Sequence, residues 1–256
     1  MSEEDLQGLV FDCGSSSCLA GYAGDDHPSI IVPTVCGEMN GSMKAQRRRT
    51  WVNYFAGQEV FDTQDVTNCF PIERGVVQNW DQMEALWFHL YNELQVPPEE
   101  HCIMLSEPPL NPPSCHEKTT QIMFETMNVP ALAIKNLALL SLFTMGCEPN
   151  TGLVIDSGSN VTRVVPIIEG VPDNKNTILC SYGGDDITSY LGELVQKNNN
   201  DIAGLPVDIQ SEVLRDIKEL CSRVRVDNEA KSNREVKYKL PDGKLISVGD
   251  DASQCC

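Results

Sequence analysis

The chain has 256 residues and a formal net charge of −18 at pH 7, with 41% hydrophobic and 22% charged residues. This composition is typical of a globular protein with one large domain or two modest ones. A strongly acidic surface repels nucleic acids and anionic lipids, which argues against both as partners. The only basic run, residues 44–49, is interpreted as a solvated loop, and no apolar run is long enough to span a membrane.

Eleven cysteines are scattered singly along the chain, and no CxxC pair is present, so the sequence does not support a zinc site. The N-terminal MSEEDLQ has no apolar signal segment. The cysteines are therefore predicted to be small buried residues of a protein in the reducing cytoplasm.

The first predicted element is a β-hairpin. LVFDCGSS, residues 9–16, leads an aliphatic strand into Asp12 and turns on Gly14, and the apolar strand of CLAGYAG follows. Turns of this kind often present backbone N–H groups to a phosphate. Residues 37–50 are polar without clear periodicity, which predicts a mobile surface loop.

Helices and one strand are predicted next. Residues 79–94 have an apolar face at helical spacing, with Asn79 or Asp81 as the N-cap, and residues 101–108 predict a short buried strand. Ser114 and Glu117 form a capping-box pattern. Residues 131–145 are apolar nearly all round, so we expect a buried helix or several short turns there.

A second hairpin repeats the first. LVIDSGSN, residues 153–160, matches LVFDCGSS position by position, so that Asp156 takes the place of Asp12, and the apolar VTRVVPIIEG follows. One repeat at this long spacing indicates two related lobes. Two such hairpins facing each other can hold one ligand between their turns.

The remaining elements complete an α/β pattern. Asp185 or Asp186 is the predicted cap of one helix and Asp208 that of the next, and residues 236–248 predict a hairpin that turns at Pro-Asp-Gly. Strands and helices alternate along the chain, which indicates the α/β class.

These motifs together resemble actin. Besides the two DxGS hairpins, the chain contains PIERGVVQNWDQME, YNELQVPPEEH, EPPLNPPSCHEKTTQIMFETMNVPA, LRDIKEL and LPDGKLISVG. TQIMFET and NWDQME are nearly specific to actins and actin-related proteins. The similarity runs from about Leu9 to Gly249, and the chain is identified as a divergent, C-terminally truncated member of the actin family.

The resemblance implies the actin-like ATPase-domain (ribonuclease H-like) α/β fold, with two lobes of mixed sheets and flanking helices. Residues 1–33 and 71–146 would form the first lobe without its C-terminal helices, and residues 34–70 a small inserted subdomain with the mobile loop. Residues 147–256 would form an incomplete second lobe. The family pattern continues beyond Cys256, so we expect exposed apolar surface on the part present.

The resemblance also implies ATP or ADP with Mg²⁺ in the cleft between the lobes. Asp12 and Asp156 match the two acids that hold the hydrated magnesium ion in the family. The pair Lys218 and Glu219 matches residues beside adenine and ribose, although adjacent charges on a helix are more often solvated surface. All the residues that match nucleotide contacts are Asp12, Gly14, Ser15, Ser17, Asp156, Ser157, Gly158, Ser159, Asn160, Val161, Gly184, Lys218 and Glu219.

Several positions depart from the family pattern. Leu19 replaces a phosphate-contacting lysine, and Leu137 stands where the family has the glutamine that orients the attacking water. Arg163 replaces a histidine, and Asp185 replaces an arginine near the cleft. Because leucine forms no side-chain hydrogen bond, we expect hydrolysis to be lost, and we predict no catalytic residue.

The filament contacts depart as well. Met43 is the only large apolar residue at the tip of the loop that joins subunits in actin, and Arg74 replaces the family's modified histidine. These changes predict impaired self-polymerisation. The alternative interpretation of the Asp12 and Asp156 turns is that the two acids only cap hairpins in a shell inherited from actin.

The sequence therefore predicts an actin-like cytoskeletal protein of the cytoplasm that binds nucleotide, with hydrolysis and self-polymerisation impaired, and with actin and actin-binding proteins as partners. The alternative is a non-polymerising actin-like module that caps, sequesters or scaffolds actin-binding partners. A working phosphotransferase of the same superfamily would need a base and a complete cleft, which Leu19, Leu137 and Asp185 do not support. A degenerate, barely folded product is the fourth possibility.

Overall fold

The computed structural model describes residues 7–39, 54–63, 66–146, 150–198, 202, 204–205, 207–222 and 236–248. The chain divides into two compact units, Met1–Ser181 and Tyr182–Cys256. The lobe and subdomain boundaries predicted from the sequence remain predictions. Most of the predicted mobile loop, from residue 40 onward, lies outside the described residues.

A mixed five-stranded sheet forms the centre of the first unit. Its strands are β1 (Leu9–Cys13), β2 (Ser17–Tyr22), β3 (Ile30–Pro33), β9 (Ile103–Glu107) and β10 (Leu132–Asn136). Their order is β10-β9-β1-β2-β3, with β1, β2 and β3 antiparallel and β1, β9 and β10 parallel. The first predicted hairpin and the predicted strand within residues 101–108 are thus confirmed.

Helix α2 (Trp80–Leu94) follows the sequence prediction closely. The Asn79 side chain caps it by accepting a hydrogen bond from the backbone N–H of Gln82 at 3.1 Å. Its apolar face packs in the core of the sheet, where the Tyr91 ring meets the edge of Phe11 at a centroid distance of 5.0 Å. Burial of this face, rather than helix propensity alone, holds the element in place.

Residues 37–39 are a strand, so the predicted surface loop is wrong at its start. Strand β4 (Cys36–Met39) pairs with β5 (Tyr54–Ala56) and β6 (Val66–Cys69) in a three-stranded sheet. A Cβ added to Gly37 would come within 3.1 to 3.3 Å of the side chains of Val60 and Val66, so this glycine lies close against its neighbours. The short helix α1 (Glu59–Asp62) lies between β5 and β6.

Helix α3 begins earlier than the capping-box pattern predicts. It spans Pro113–Gln121 and continues as one π-helical turn, Ile122–Thr126. Ser114 and Glu117 lie inside the helix, so the predicted capping box is wrong. Proline is favoured in the first turn, where its missing N–H costs no hydrogen bond, and Pro113 therefore sets the start.

Residues 131–145 form a strand and a helix, so the prediction of a buried helix or several short turns is wrong for the first half. Strand β10 pairs in parallel with β9, and α4 (Leu137–Phe143) follows. The Asn136 side chain accepts hydrogen bonds from the N–H groups of Ala138 at 3.0 Å and Leu139 at 3.4 Å. The one polar cap inside an apolar run thus separates the two elements.

The second hairpin is also confirmed. Strands β11 (Gly152–Ser157) and β12 (Thr162–Ile168) are antiparallel, and β13 (Val171–Pro172) and β14 (Ile178–Cys180) pair with β12. Helix α4 covers one face of this sheet. On the other face Leu153, Ile155 and Ile178 are 61%, 67% and 57% exposed, so this side of the sheet presents apolar side chains at the surface. Between β6 and α2, the short strands β7 (Ile72–Glu73) and β8 (Val76–Val77) form a separate ribbon.

The described part of the second unit includes two long helices and a hairpin. Helices α5 (Gly184–Asn198) and α6 (Val207–Cys221) pack with β15 (Val236–Lys239) and β16 (Leu245–Val248), which form the predicted hairpin. The predicted caps Asp185, Asp186 and Asp208 lie in the first turns of their helices rather than before them, which corrects those assignments by two or three residues. Acids in a first turn still interact favourably with the helix dipole.

Of the helices in the described part of the chain, none has the length and apolar character needed to cross a membrane.

The thiol of Cys36 provides a test of the fold. Burial raises the pKa of this thiol to about 12, and its Sγ–H donates to the Gln82 carbonyl oxygen at 3.3 Å. At about pH 8, iodoacetamide should modify the exposed Cys180 at least tenfold faster than Cys36, because only the thiolate reacts. Peptide mass spectrometry measures both rates. Equal rates for the folded chain would contradict the burial of β4.

Candidate functional site

The two repeated hairpins have the same turn geometry. The Gly14 N–H donates to the Ser17 carbonyl oxygen at 2.9 Å, and the Gly158 N–H donates to the Val161 carbonyl oxygen at 3.0 Å. The cross-strand register is equivalent too, since Asp12 lies opposite Leu19 and Asp156 lies opposite Arg163. The sequence repeat therefore extends to the backbone hydrogen bonds and to the strand pairing.

Both turns line one cavity of about 230 Å³, which lies within the first unit. This volume is many times the space that a single water needs, which is on the order of 10 to 15 Å³. The side chains of both aspartates are partly buried at this cavity. The predicted site residues that line it are Asp12, Gly14, Ser15, Ser17, Asp156, Gly158, Ser159, Asn160 and Val161.

Four predicted site residues lie elsewhere. Ser157 is not among the lining residues, and its hydroxyl pairs with that of Thr162 at 2.9 Å. Gly184, Lys218 and Glu219 belong to the second unit, where the Lys218 Nζ donates to the Gly184 carbonyl oxygen at 2.9 Å. The geometry therefore brings together the two turns, and separately Lys218 with Gly184.

Three of the four cleft positions that depart from the family pattern lie at the same cavity, and the fourth, Asp185, belongs to the second unit. Leu19, Leu137 and Arg163 all line it. Leu137 is the first residue of α4 and follows the Asn136 cap, so the end of β10 places its side chain there. Two apolar side chains and one guanidinium thus share a space with the two carboxylates.

A two-residue turn between β7 and β8 connects the hairpins. Arg74 and Gly75 both have positive φ, 50° and 78°, as a type I′ turn requires. The Gly75 N–H donates to the Ser15 Oγ at 3.2 Å. Arg74 Nη1 donates to the carbonyl oxygens of Asn160 and Ser181, the latter at 2.6 Å. The β7–β8 turn therefore contacts the turns of both repeated hairpins.

Arg163 is the most constrained charge of the site. It is only 6% exposed, its Nη1 lies 3.4 Å from the Asp156 Oδ2, and its Nη2 donates to the Arg74 carbonyl oxygen at 3.0 Å. Its buried Nε has no hydrogen-bond partner among the described residues. Burial lowers the pKa of the guanidinium, and the negative charge of Asp156 opposes that shift. An arginine remains charged under such conditions.

The first turn is fixed by a buried threonine. The Thr34 Oγ1 donates to the Gly14 carbonyl oxygen at 2.8 Å, and its N–H donates to the Ser16 carbonyl oxygen at 2.9 Å. Across the sheet, the Ser106 Oγ donates to the Asp12 Oδ1 at 2.5 Å. These contacts hold the turn and one carboxylate in place without any ligand.

Sequence reasoning missed Gly75, Ser106 and Thr34 as parts of the site. The Arg-Gly pair between Ile72-Glu73 and Val76-Val77 was a readable signal, because the turn of a two-residue hairpin favours glycine. Ser106 and Thr34 had no local signal, since their partners lie far away along the chain.

The residues fit a divalent cation poorly. Mg²⁺ in proteins keeps several waters and binds one or two carboxylates. Here one of the two predicted carboxylates is paired with a buried guanidinium. The described residues also contain no group of three or more His, Cys, Asp or Glu side chains suited to a metal ion. The predicted role of Asp12 and Asp156 toward magnesium stays a prediction, and Arg163 argues against it.

Substitution of Gly75 tests how tightly this turn packs against Arg163. A Cβ at position 75 would overlap the Arg163 Nη2, in a backbone region that disfavours side chains. Gly24 is the matched control, because its φ is +96° and no atom lies within 4 Å of the point that a Cβ would occupy there. Gly75→Ala should cost about 1 to 2 kcal/mol more unfolding free energy than Gly24→Ala.

Chemical denaturation of both variants measures this difference. In an Arg163→Leu background the excess cost of Gly75→Ala should disappear, because the clashing group is gone. Equal costs of the two alanine variants in the unaltered chain would contradict the close packing of Gly75 against Arg163.

A comparison with protein families gives one finding for this chain. The family model described as Actin matches residues 3–256, which is nearly the whole chain.

Proposed function

Because the chain belongs to the actin family, we propose that it is an actin-like cytoskeletal protein that binds ATP or ADP without hydrolysing it. The phosphates would bind in the cavity between the β1–β2 and β11–β12 turns. The observation that carries this proposal is that two turns with equivalent hydrogen bonds and equivalent aspartates line a single cavity.

The lining chemistry suits phosphate groups. Small residues at the turns let the backbone approach a ligand closely. Serine hydroxyls and backbone N–H groups donate hydrogen bonds to phosphate oxygens. Ser15, Ser16 and Ser159 supply such groups around the cavity, and Arg163 supplies a positive charge. Lys218 and Glu219 are proposed, by family resemblance, to contact the adenine and ribose, and Gly184 to belong to a segment that approaches the nucleotide.

The proposed loss of hydrolysis rests on one residue of the cavity wall, Leu137. Leu137 stands where the family has a glutamine that orients the attacking water, and it lines the cavity with a side chain that has no polar atom. Phosphoryl transfer depends on positioning a nucleophile in line with the leaving group. An aliphatic side chain cannot position water, so the bound nucleotide should persist unchanged.

Nucleotide binding and turnover can be measured separately. Titration of the purified chain with a fluorescent ATP analogue should give saturable binding that unlabelled ATP and ADP displace. After long incubation, chromatography should recover the ATP intact, with phosphate release at the level of a buffer control. Absence of saturable binding would refute nucleotide binding, and phosphate release above that level would refute the loss of hydrolysis.

A non-polymerising module that binds actin-binding partners is the second candidate. The exposed apolar face of the β11–β14 sheet favours it, because contiguous apolar surface often marks a protein interface. Leu153, Ile155 and Ile178 contribute to this face, and all three are more than half exposed. Partners would be actin and actin-binding proteins, and the location would be the cytoplasm and its cytoskeleton.

Co-sedimentation separates the two candidates. If the chain enters filaments, it should pellet with conventional actin. If it is a non-polymerising module, it should stay in the supernatant and bind an actin-binding protein instead. If the chain is such a module, Ile155→Lys should weaken its binding at least tenfold, while Ile31→Lys, at an equally exposed site on the five-stranded sheet, should not. Equal effects of both variants would exclude the apolar face as the interface.

A further inference from the structure

We propose that Arg163 supplies the positive charge for the phosphate groups in this cavity, and that the nucleotide binds without a divalent cation. This inference rests on the nucleotide binding proposed above. It concerns how the site neutralises its ligand, and it departs from the magnesium ion that the family implies.

The strand register supports an exchange of cation position between the hairpins. By this we mean that a basic residue of the second hairpin takes the place of the one that the family pattern has in the first. Leu19 lies directly opposite Asp12 in the first hairpin, and Arg163 lies directly opposite Asp156 in the second. The cation that the family pattern places at position 19 is absent, and a cation stands at the equivalent position of the other hairpin. Among the described residues that line the cavity, Arg163 is thus the one with a basic side chain.

The packing shows that Arg163 has a fixed position at the cavity. Its guanidinium is held by the Arg74 carbonyl oxygen at 3.0 Å and lies beside Gly75, whose missing side chain leaves the necessary space. The residue is more than nine-tenths buried and lines the cavity, while its Nε has no partner among the described residues. A buried charge with unused donors is stabilised by an anion.

The same placement disfavours a magnesium ion. The guanidinium lies 3.4 Å from the Asp156 carboxylate, so a second cation at this carboxylate would be repelled by the first. The remaining predicted metal ligand, Asp12, already accepts a hydrogen bond from the Ser106 hydroxyl. Arg163 therefore takes the neutralising role that a hydrated metal ion would otherwise have.

The experiment compares nucleotide affinity in Mg²⁺ with affinity in excess EDTA, using the full chain. The dissociation constants for ATP should agree within about twofold, and inorganic tripolyphosphate should compete in EDTA. Arg163→Leu should weaken ATP binding at least tenfold in EDTA, whereas Lys175→Leu, which removes one exposed cation elsewhere, should leave it within about twofold.

A paired substitution tests the exchange itself. Leu19→Lys combined with Arg163→His restores the family residues at both positions, and its ATP affinity should become dependent on Mg²⁺ by more than about tenfold. Arg163→Lys, which keeps the charge, should retain most of the EDTA binding that Arg163→Leu loses. Thermal unfolding of each variant checks that it is folded before binding is measured.

The outcomes separate this inference from the proposed function. Strong Mg²⁺ dependence in the unaltered chain, or unchanged affinity of folded Arg163→Leu, would overturn the inference and leave nucleotide binding in place. Absence of ATP binding both in Mg²⁺ and in EDTA would overturn both.

Discussion

The site depends on one cross-strand pair, in which the buried guanidinium of Arg163 meets the partly buried carboxylate of Asp156. A guanidinium that is almost fully removed from water requires partners, and here they are the carboxylate at 3.4 Å and the Arg74 carbonyl oxygen at 3.0 Å. These partners explain the glycine at position 75 and the left-handed turn that contains it. The same turn also contacts the first hairpin, because the Gly75 N–H donates to the Ser15 Oγ. The two repeats are thereby held around a common cavity by Arg163. This residue lies outside the DxGS motifs, on strand β12 of the second hairpin.

Much of the fold could be predicted because its signals are local. Apolar periodicity and a capping asparagine identified α2, and alternating strands around glycine turns identified both hairpins. The failures have a common physical cause. Residues 131–145 are apolar nearly all round, and periodicity cannot distinguish a strand that is buried in a parallel sheet from a buried helix. The first part of the segment is a strand because it pairs with β9, which lies far away along the chain. Asn136 then caps the helix that follows the strand.

The site was predicted in part for the same reason. Asp12, Asp156 and the glycines of both turns could be read from a repeat within one sequence, and they line one cavity. The contacts that Arg163 makes could not be predicted from the sequence repeat. Its ion pair depends on strand register, and its contact with Gly75 depends on a third hairpin far away along the chain. The list of substituted positions by itself predicts only a weakened site, whereas the structure shows that one of these residues, Arg163, places a cation at the cavity.

The proposed nucleotide binding requires both hairpin turns to contact one phosphate-bearing ligand. Hydrogen–deuterium exchange of the full chain, with and without saturating ATP, can detect this because it reports on the two turns independently. Peptides covering residues 13–18 and residues 157–162 should become protected together, at the same ATP concentration. Protection of only one of these peptides, or of neither while ATP is bound, would show that the two turns do not share a ligand.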